Sequence, residues 1–412
     1  MLAQRMSSLL EPGTAAAREI ARIAAAAGRP IVDLAAGEVV IGLPPTVREG
    51  AIAAIEAGAN RYTDSIGIEP LREAVAEKLT ASTHVNWAAQ NIVITNGAKQ
   101  ALLNAVFAIL DPGDEAIIFR PCWPTIPSQV LLAGAKPVFV DVKPPTYIPT
   151  LEAIHAAVTS QTKAIILNSP NNPTGAVYDR TTLQAIGDLA VNYQLWIVSD
   201  ECYSSFVFNG HGHESIVTAH PGVRAQTILV NSFSKELAIT GWRLGYFAAP
   251  PAIVSAAKKL QSHMTSNVNV IAQHAILHHL KVSDGSFERD MFKRLASARR
   301  DGIAVLSRLV DVQTPLADGS FYFYLDLGER IAKLPVNGPV QGIDDIARIL
   351  LEEAGVAAVA GSTFGDPAGL RLSFGAPGEL LIPALERVVD TLNALNDRQR
   401  PKDVFSRSGG LS

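Results

Sequence analysis

Apolar residues follow two rhythms along this chain. From residue 92 to 230 they gather into short continuous runs: Ile92-Val93-Ile94-Thr95, Ala116-Ile117-Ile118-Phe119, 136–142, Ala164-Ile165-Ile166-Leu167, Leu195-Trp196-Ile197-Val198 and Thr227-Ile228-Leu229-Val230. Between them lie longer segments with helical spacing, such as 99–110 and 183–191. Strands alternating with helices predict a mainly parallel sheet flanked by helices. Upstream, 14–27, 48–57 and 71–79 read as helices, with a short strand at 31–34. After about residue 290, long helices (287–309, 342–354, 380–395) alternate with strands at 321–327, 356–359 and 370–374. The expected class is therefore α/β, a large sheet-and-helix domain plus a smaller α+β domain. The pattern also sets off a flexible segment 1–13 and a disordered polar tail 396–412.

Composition narrows the class. The 412 residues are long enough for two domains with a large core. At 48% hydrophobic and 18% charged the chain is an ordinary globular protein. A net charge of -4 gives no footing for nucleic acid or an anionic membrane. Only Cys122 and Cys202 occur, so the default is a reducing cytoplasm and no disulfide framework. No apolar run approaches the roughly 20 residues that span a bilayer.

In open α/β sheets, ligands gather at the carboxyl ends of the strands, so each strand end is a candidate site. The first is followed by Asn96-Gly97-Ala98-Lys99, small residues opening a helix, where free N–H groups suit an anion. An ordinary tight turn is the plain alternative. Trp123 follows the next strand and can stack on a flat ligand, or simply belong to the core. Asn168-Ser169-Pro170-Asn171-Asn172-Pro173-Thr174-Gly175 is a long, rigid polar turn. Ser199-Asp200-Glu201-Cys202-Tyr203 ends a buried strand on a carboxylate, which requires a cationic partner unless it caps a helix. Asn231-Ser232-Phe233-Ser234-Lys235 ends another on two hydroxyls and a lysine, with Arg243 eight residues on. A partly desolvated lysine is suited to covalent work, and hydroxyls with an arginine suit a phosphate. A surface lysine in a polar turn is the alternative. Arg371 sits inside the apolar strand Leu370-Arg371-Leu372 and requires an anion, either a substrate carboxylate or an internal acid. One cofactor asks for this whole set: pyridoxal 5′-phosphate (PLP), held by a lysine Schiff base with an acid facing its ring nitrogen.

From about residue 14 to 395 the sequence resembles the class I (fold type I) PLP-dependent aminotransferases of the aspartate aminotransferase superfamily. The resemblance rests on the order and spacing of Asn168 to Gly175, Ser199 to Tyr203, and Ser232-Phe233-Ser234-Lys235 through Gly241-Trp242-Arg243-Leu244-Gly245-Tyr246. It implies that Lys235 carries the cofactor and moves the proton, and that Asp200 keeps the ring nitrogen protonated. Asn172 and Tyr203 would bond the phenolic oxygen, and Trp123 would stack on the ring. Gly97, Ala98, Ser232, Ser234 and Arg243 would hold the phosphate, joined by Tyr62 across a homodimer interface. Arg371 would grip the substrate α-carboxylate, with Gly37 and Asn172 beside the substrate. The resemblance also implies a large PLP-binding domain 46–295 and a small domain 296–395 joined by the segment 14–45. The implied activity is ping-pong transamination between an L-amino acid and a 2-oxo acid. A PLP-dependent lyase, decarboxylase or oxidase on the same fold is the competing expectation. A PLP-sensing regulator lacks room for a DNA-binding module ahead of residue 14. Lys99 falls where some aspartate- and prephenate-using relatives place a lysine for the distal carboxylate, though relatives with other preferences share it. The sequence departs from the family pattern in three places: Gly37-Glu38-Val39-Val40 in place of Gly-Glu-Pro-Asp, Cys122 in place of an aromatic, and Val268-Asn269 where proline is common; the first and third lie in segments that border the substrate in relatives and bear on specificity.

Overall fold

The computed structural model describes residues 6, 7, 9, 13–208, 210, 212–335 and 340–398. Most of the expected flexible segment 1–13 and of the tail 396–412 lies outside these residues.

Seven strands form the central sheet: β2 (Ile92–Thr95), β3 (Glu115–Arg120), β4 (Lys136–Asp141), β5 (Thr162–Asn168), β6 (Trp196–Asp200), β7 (Thr227–Ser232) and β8 (Gly245–Ala248); a short β1 (Val32–Asp33) precedes them outside this sheet. Their order is β2-β8-β7-β6-β5-β3-β4. Neighbours are parallel except that β8 runs antiparallel to β2 and β7. The sequence pattern did not separate β8, because Gly245 and Tyr246 read as the end of a glycine-arginine motif. Pro137 is tolerated in β4 because that strand is the sheet edge.

Each central strand feeds two cores. Ile117, Ile165, Ile197 and Leu229 face one helical layer, while Ile118, Ile166, Val198 and Ile228 face the other. This period of two on doubly covered strands explains the unbroken apolar runs. Each such side chain, fully buried, contributes about 1.5–3 kcal/mol.

A second sheet has the order β11-β12-β9, from β9 (Tyr322–Asp326), β11 (Val359–Ala360) and β12 (Gly369–Ser373), all antiparallel. The expected strand at 356–359 is split. β10 (Val356–Ala357) pairs in parallel with β1, and β11 pairs with β12. Val32 of β1 thus sits beside Val356, so the amino-terminal segment is stitched to the carboxyl-terminal part of the chain. A third core, including Phe321, Phe323, Leu370, Leu372 and Val388, underlies these strands.

Four helices matter for the site: α1 (Gly13–Ala26), α2 (Pro45–Glu56), α3 (Glu69–Thr83) and α4 (Ala98–Ile109). The final helix runs Gly378–Arg398, so its end enters the stretch expected to be a tail.

Candidate active site

The carboxyl ends of β5, β6 and β7 open on a cavity of about 420 Å³. Asn168, at the end of β5, donates from Nδ2 to the Asp200 carbonyl at 3.2 Å, and its Oδ1 accepts from the Asn172 N–H at 2.9 Å. Within the following turn, Asn171 Oδ1 accepts from the N–H and hydroxyl of Thr174, at 3.0 and 2.8 Å. The turn is thereby fixed by its own asparagines, and Asn172 is carried into the cavity.

Asp200 ends β6, almost fully buried. Its Oδ1 accepts from the Cys202 N–H at 3.2 Å. Burial pushes its carboxyl up to about 6, against the hydrogen bonds from Cys202. An acid at the end of a covered strand, with no cation bonded to it among the described residues, is suited to a protonated ring nitrogen.

β7 ends at Ser232, which caps the single helical turn Phe233–Glu236 by accepting from the Ser234 N–H at 3.1 Å. The Ser232 hydroxyl donates to the Leu244 carbonyl at 3.1 Å. Its proton is therefore committed in this structure, whereas the buried Ser234 Oγ has no partner. Lys235 follows. Its Nζ donates to the Gly37 carbonyl and lies 5.8 Å from the centre of the Phe321 ring. Burial lowers its pKa to about 8, so the neutral amine is accessible near neutrality.

The anion end is built by two close approaches. Gly97 has φ +75°, and a side chain there would come within 2.7 Å of Arg243 Nη2. Gly245 lies so near that its own Cβ would meet the Ala98 nitrogen at 2.7 Å. Only glycine allows both. Arg243 donates to the Thr240 and Asn96 carbonyls at 2.9 and 3.3 Å, and its guanidinium is exposed to the cavity. No side chain caps the start of α4 at Gly97.

Arg371 lies on β12 between Leu370 and Leu372; those two enter the core while Arg371 faces the cavity. It is buried, donating from Nη1 to Asn172 Oδ1 and from Nη2 to the Ala35 carbonyl, both at 2.8 Å. Its Nε has no partner. The guanidinium lies 4.3 Å from the centre of the Tyr322 ring. Trp123 lines the wall, with Lys99 Nζ 5.1 Å from its ring centre. Partial burial, and then the charge of Arg243, lower the Lys99 pKa.

Of the residues singled out from sequence, Gly37, Ala98, Lys99, Trp123, Asn172 and Asp200 line this one cavity. So do Tyr203, Ser232, Ser234, Lys235, Arg243 and Arg371. Gly97 does not line the cavity; it packs against Arg243, which does. Tyr62 is elsewhere, 89% exposed on the loop before α3. Tyr322 was missed. Its hydroxyl lies 2.9 Å from that of Tyr203, and a side chain on Gly37 would approach it to 2.9 Å. The available signal was the alternation Tyr322-Phe323-Tyr324, which puts two hydroxyls on one face of the Arg371 sheet. Arg18, Glu38, Asn168 and Cys202 also line the cavity without having been assigned a place in it.

The donor set fits pyridoxal phosphate. The orphaned Ser234 hydroxyl and exposed Arg243 suit a phosphate, a depressed lysine suits a carbonyl, and Asp200 suits a protonated nitrogen. The unpartnered Arg371 Nε is a donor left unused that a carboxylate could satisfy.

Comparison with known proteins agrees with this chemistry. The sequence model for "Aminotransferase class I and II" matches residues 29–388. A probable aspartate/prephenate aminotransferase of Aquifex aeolicus is 36% identical over 96% of this chain and 99% of its own. The aspartate/prephenate aminotransferase of Cereibacter sphaeroides is 38% identical over 91% of this chain and 94% of its own. The aspartate aminotransferase of Thermus thermophilus, solved with maleate, superposes with a TM-score of 0.86 at 34% identity, covering 95% of this chain and all of that one.

Proposed function

The chain belongs to the class I and II aminotransferases, PLP-dependent transferases of fold type I, and on that premise we propose that it moves an amino group between an acidic amino acid and a 2-oxo acid. The observation that carries the substrate class is the presence of Lys99 and Arg371 in one cavity with Lys235. Two cations lining one cavity with an amine suit a substrate with two carboxylates.

Pyridoxal phosphate, when bound, supplies an electron-accepting ring and a carbonyl carbon that receives the amino group. Arg243, Ser234 and the start of α4 would hold its phosphate, with Ser232 beside them. Asp200 would keep the ring nitrogen protonated. Trp123 would stack on the ring, and Asn172 and Tyr203 would bond the ring oxygen. Arg371 receives the substrate α-carboxylate at its free Nε edge, with Asn172 and the Ala35 carbonyl holding the guanidinium in place. Lys235 Nζ, neutral once its proton is lost, would take the proton from the substrate α-carbon as general base and deliver it to the carbon that receives the amino group. The Gly37 carbonyl and the Phe321 ring orient that nitrogen.

The assembly we propose is a homodimer with shared sites. Tyr62 supports it, standing exposed on a loop braced by the Asp64–Lys258 ion pair at 2.6 Å. A tyrosine held out from a rigid loop is suited to reach the phosphate site of a second copy. The division into a large unit 46–295 and a small unit 296–395, with 14–45 joining the latter, is supported by the pairing of β1 with β10. Among the described residues no helix is long and apolar enough to cross a membrane. Two free, buried cysteines support a cytoplasmic setting.

Substitution of Lys99 tests the substrate class. Lys99→Ala lowers kcat/KM for aspartate roughly tenfold or more while sparing alanine, measured by the rate of cofactor conversion. Equal losses for both would remove the reason for an acidic substrate.

A further inference from the structure

The cavity carries more positive charge than the cofactor and one carboxylate use. Its cations are Arg18, Lys99, Lys235, Arg243 and Arg371. Its acids are Glu38 and Asp200. A phosphate takes Arg243, an α-carboxylate takes Arg371, and Asp200 is engaged by the ring. Lys99 and Arg18 remain, opposed only by Glu38.

Arg18 comes from α1, which presents Thr14, Ala15 and Arg18 to the mouth of the cavity. Its Nη1 donates to Glu38 Oε1 at 3.1 Å, and Glu38 is its only hydrogen-bond partner among the described residues. Both side chains are well exposed, at 47% and 39%. So exposed a pair is held only weakly. The contact is also single-pointed, leaving the fork of the guanidinium unused. The backbone at Glu38 cannot drift far, because Val40 N–H bonds the Gly375 carbonyl at 2.9 Å and Gly37 is held against Lys235. The Glu38 side chain can swing where its main chain cannot.

We propose that Arg18 is a specificity-determining residue whose guanidinium exchanges the Glu38 carboxylate for the distal carboxylate of an acidic substrate. Glu38 acts as a built-in competitor. A substrate with a neutral end leaves the pair intact; a second carboxylate, bound through the full fork, displaces it. The proposal rests on the acidic-substrate reading above.

The test is equilibrium binding of succinate and of butyrate to the PLP-loaded enzyme by titration calorimetry. The two ligands share a four-carbon chain and differ in the distal carboxylate. The wild type prefers succinate. Arg18→Met lowers the succinate-to-butyrate affinity ratio roughly tenfold or more, the worth of a charged hydrogen bond. Glu38→Gln raises the ratio, because the competitor is gone. Changes of opposite sign are the signature, since a merely structural latch loses in both variants. A ratio unmoved by Arg18→Met, or lowered by Glu38→Gln, overturns the exchange while leaving the acidic-substrate reading intact. A wild type without preference overturns that reading and the exchange with it.

Discussion

Asp200 and Lys235 each have an ionisable group held away from its ordinary range by burial. For Asp200 the sign can be worked out in the cofactor-free protein. Its folded carboxyl titrates near 6 against an ordinary value of 3.8, so between those values the folded state holds a proton that the unfolded chain has lost. Stability therefore falls as pH rises through that window, and the cost is complete above it. Asp200→Asn should raise the melting temperature of the cofactor-free protein by a few degrees at pH 7 and leave it unchanged near pH 3.5. The same substitution should lower kcat of the loaded enzyme by roughly 100-fold. Equal melting curves at pH 7 would contradict the strained carboxyl. For Lys235 the prediction is qualitative. Lys235→Ala eliminates the pH-sensitive absorption of lysine-bound cofactor, and a band that survives would rule out Lys235 as the attachment point. At this scale the sequence was legible for charged residues placed against apolar context: Asp200 ends a buried strand, Arg371 interrupts one, and Lys235 lies in the helical turn that follows one. Tyr322 was passed over because an aromatic in a strand already satisfies the pattern, and only its alternation with Tyr324 hinted at a hydroxyl needing a partner. Arg18 was hidden for the opposite reason, since an arginine on an amphipathic helix reads as its solvent face.

Strand-to-helix turns are the elements that turn this sheet into a site. The turn at Gly97 holds φ +75° and touches the Arg243 guanidinium. Gly97→Ala combines backbone strain with a displaced arginine, so affinity for pyridoxal phosphate should fall about tenfold or more by fluorescence titration. Gly113→Ala is the control: φ is +98° and no atom lies within 4 Å of its would-be Cβ. That variant should lose stability and keep its cofactor affinity. If both variants lose affinity alike, backbone strain alone explains the effect. Strands were the most legible elements, because coverage on both faces leaves continuous apolar runs. β8 escaped notice since two of its four residues carry a motif reading. The strand expected at 356–359 is divided because the chain changes sheets after Ala357, pairing first with β1 and then with β12. Such a change is set by tertiary partners and leaves no trace in local pattern.

At the scale of the whole molecule, one predicted site residue does not join the others. Tyr62 is exposed, and its proposed partner is the phosphate in a second copy. Tyr62→Phe should weaken cofactor retention roughly tenfold, read by dialysis against buffer, and the wild type should elute as a dimer on sizing. A fully active monomer would exclude the shared site. Pattern alone could not place Tyr62, because an exposed tyrosine on a loop carries no burial signal within one chain. The central claim concerns the loaded enzyme as a whole: Lys235 transfers the α-proton of an acidic amino acid so that its amino group passes to the cofactor. It is tested most directly by a single-turnover titration with aspartate and glutamate, followed by the cofactor spectrum. The account predicts full conversion to the pyridoxamine form by the amino acid and full recovery on adding the matching 2-oxo acid. Release of ammonia or carbon dioxide without that interconversion would contradict it.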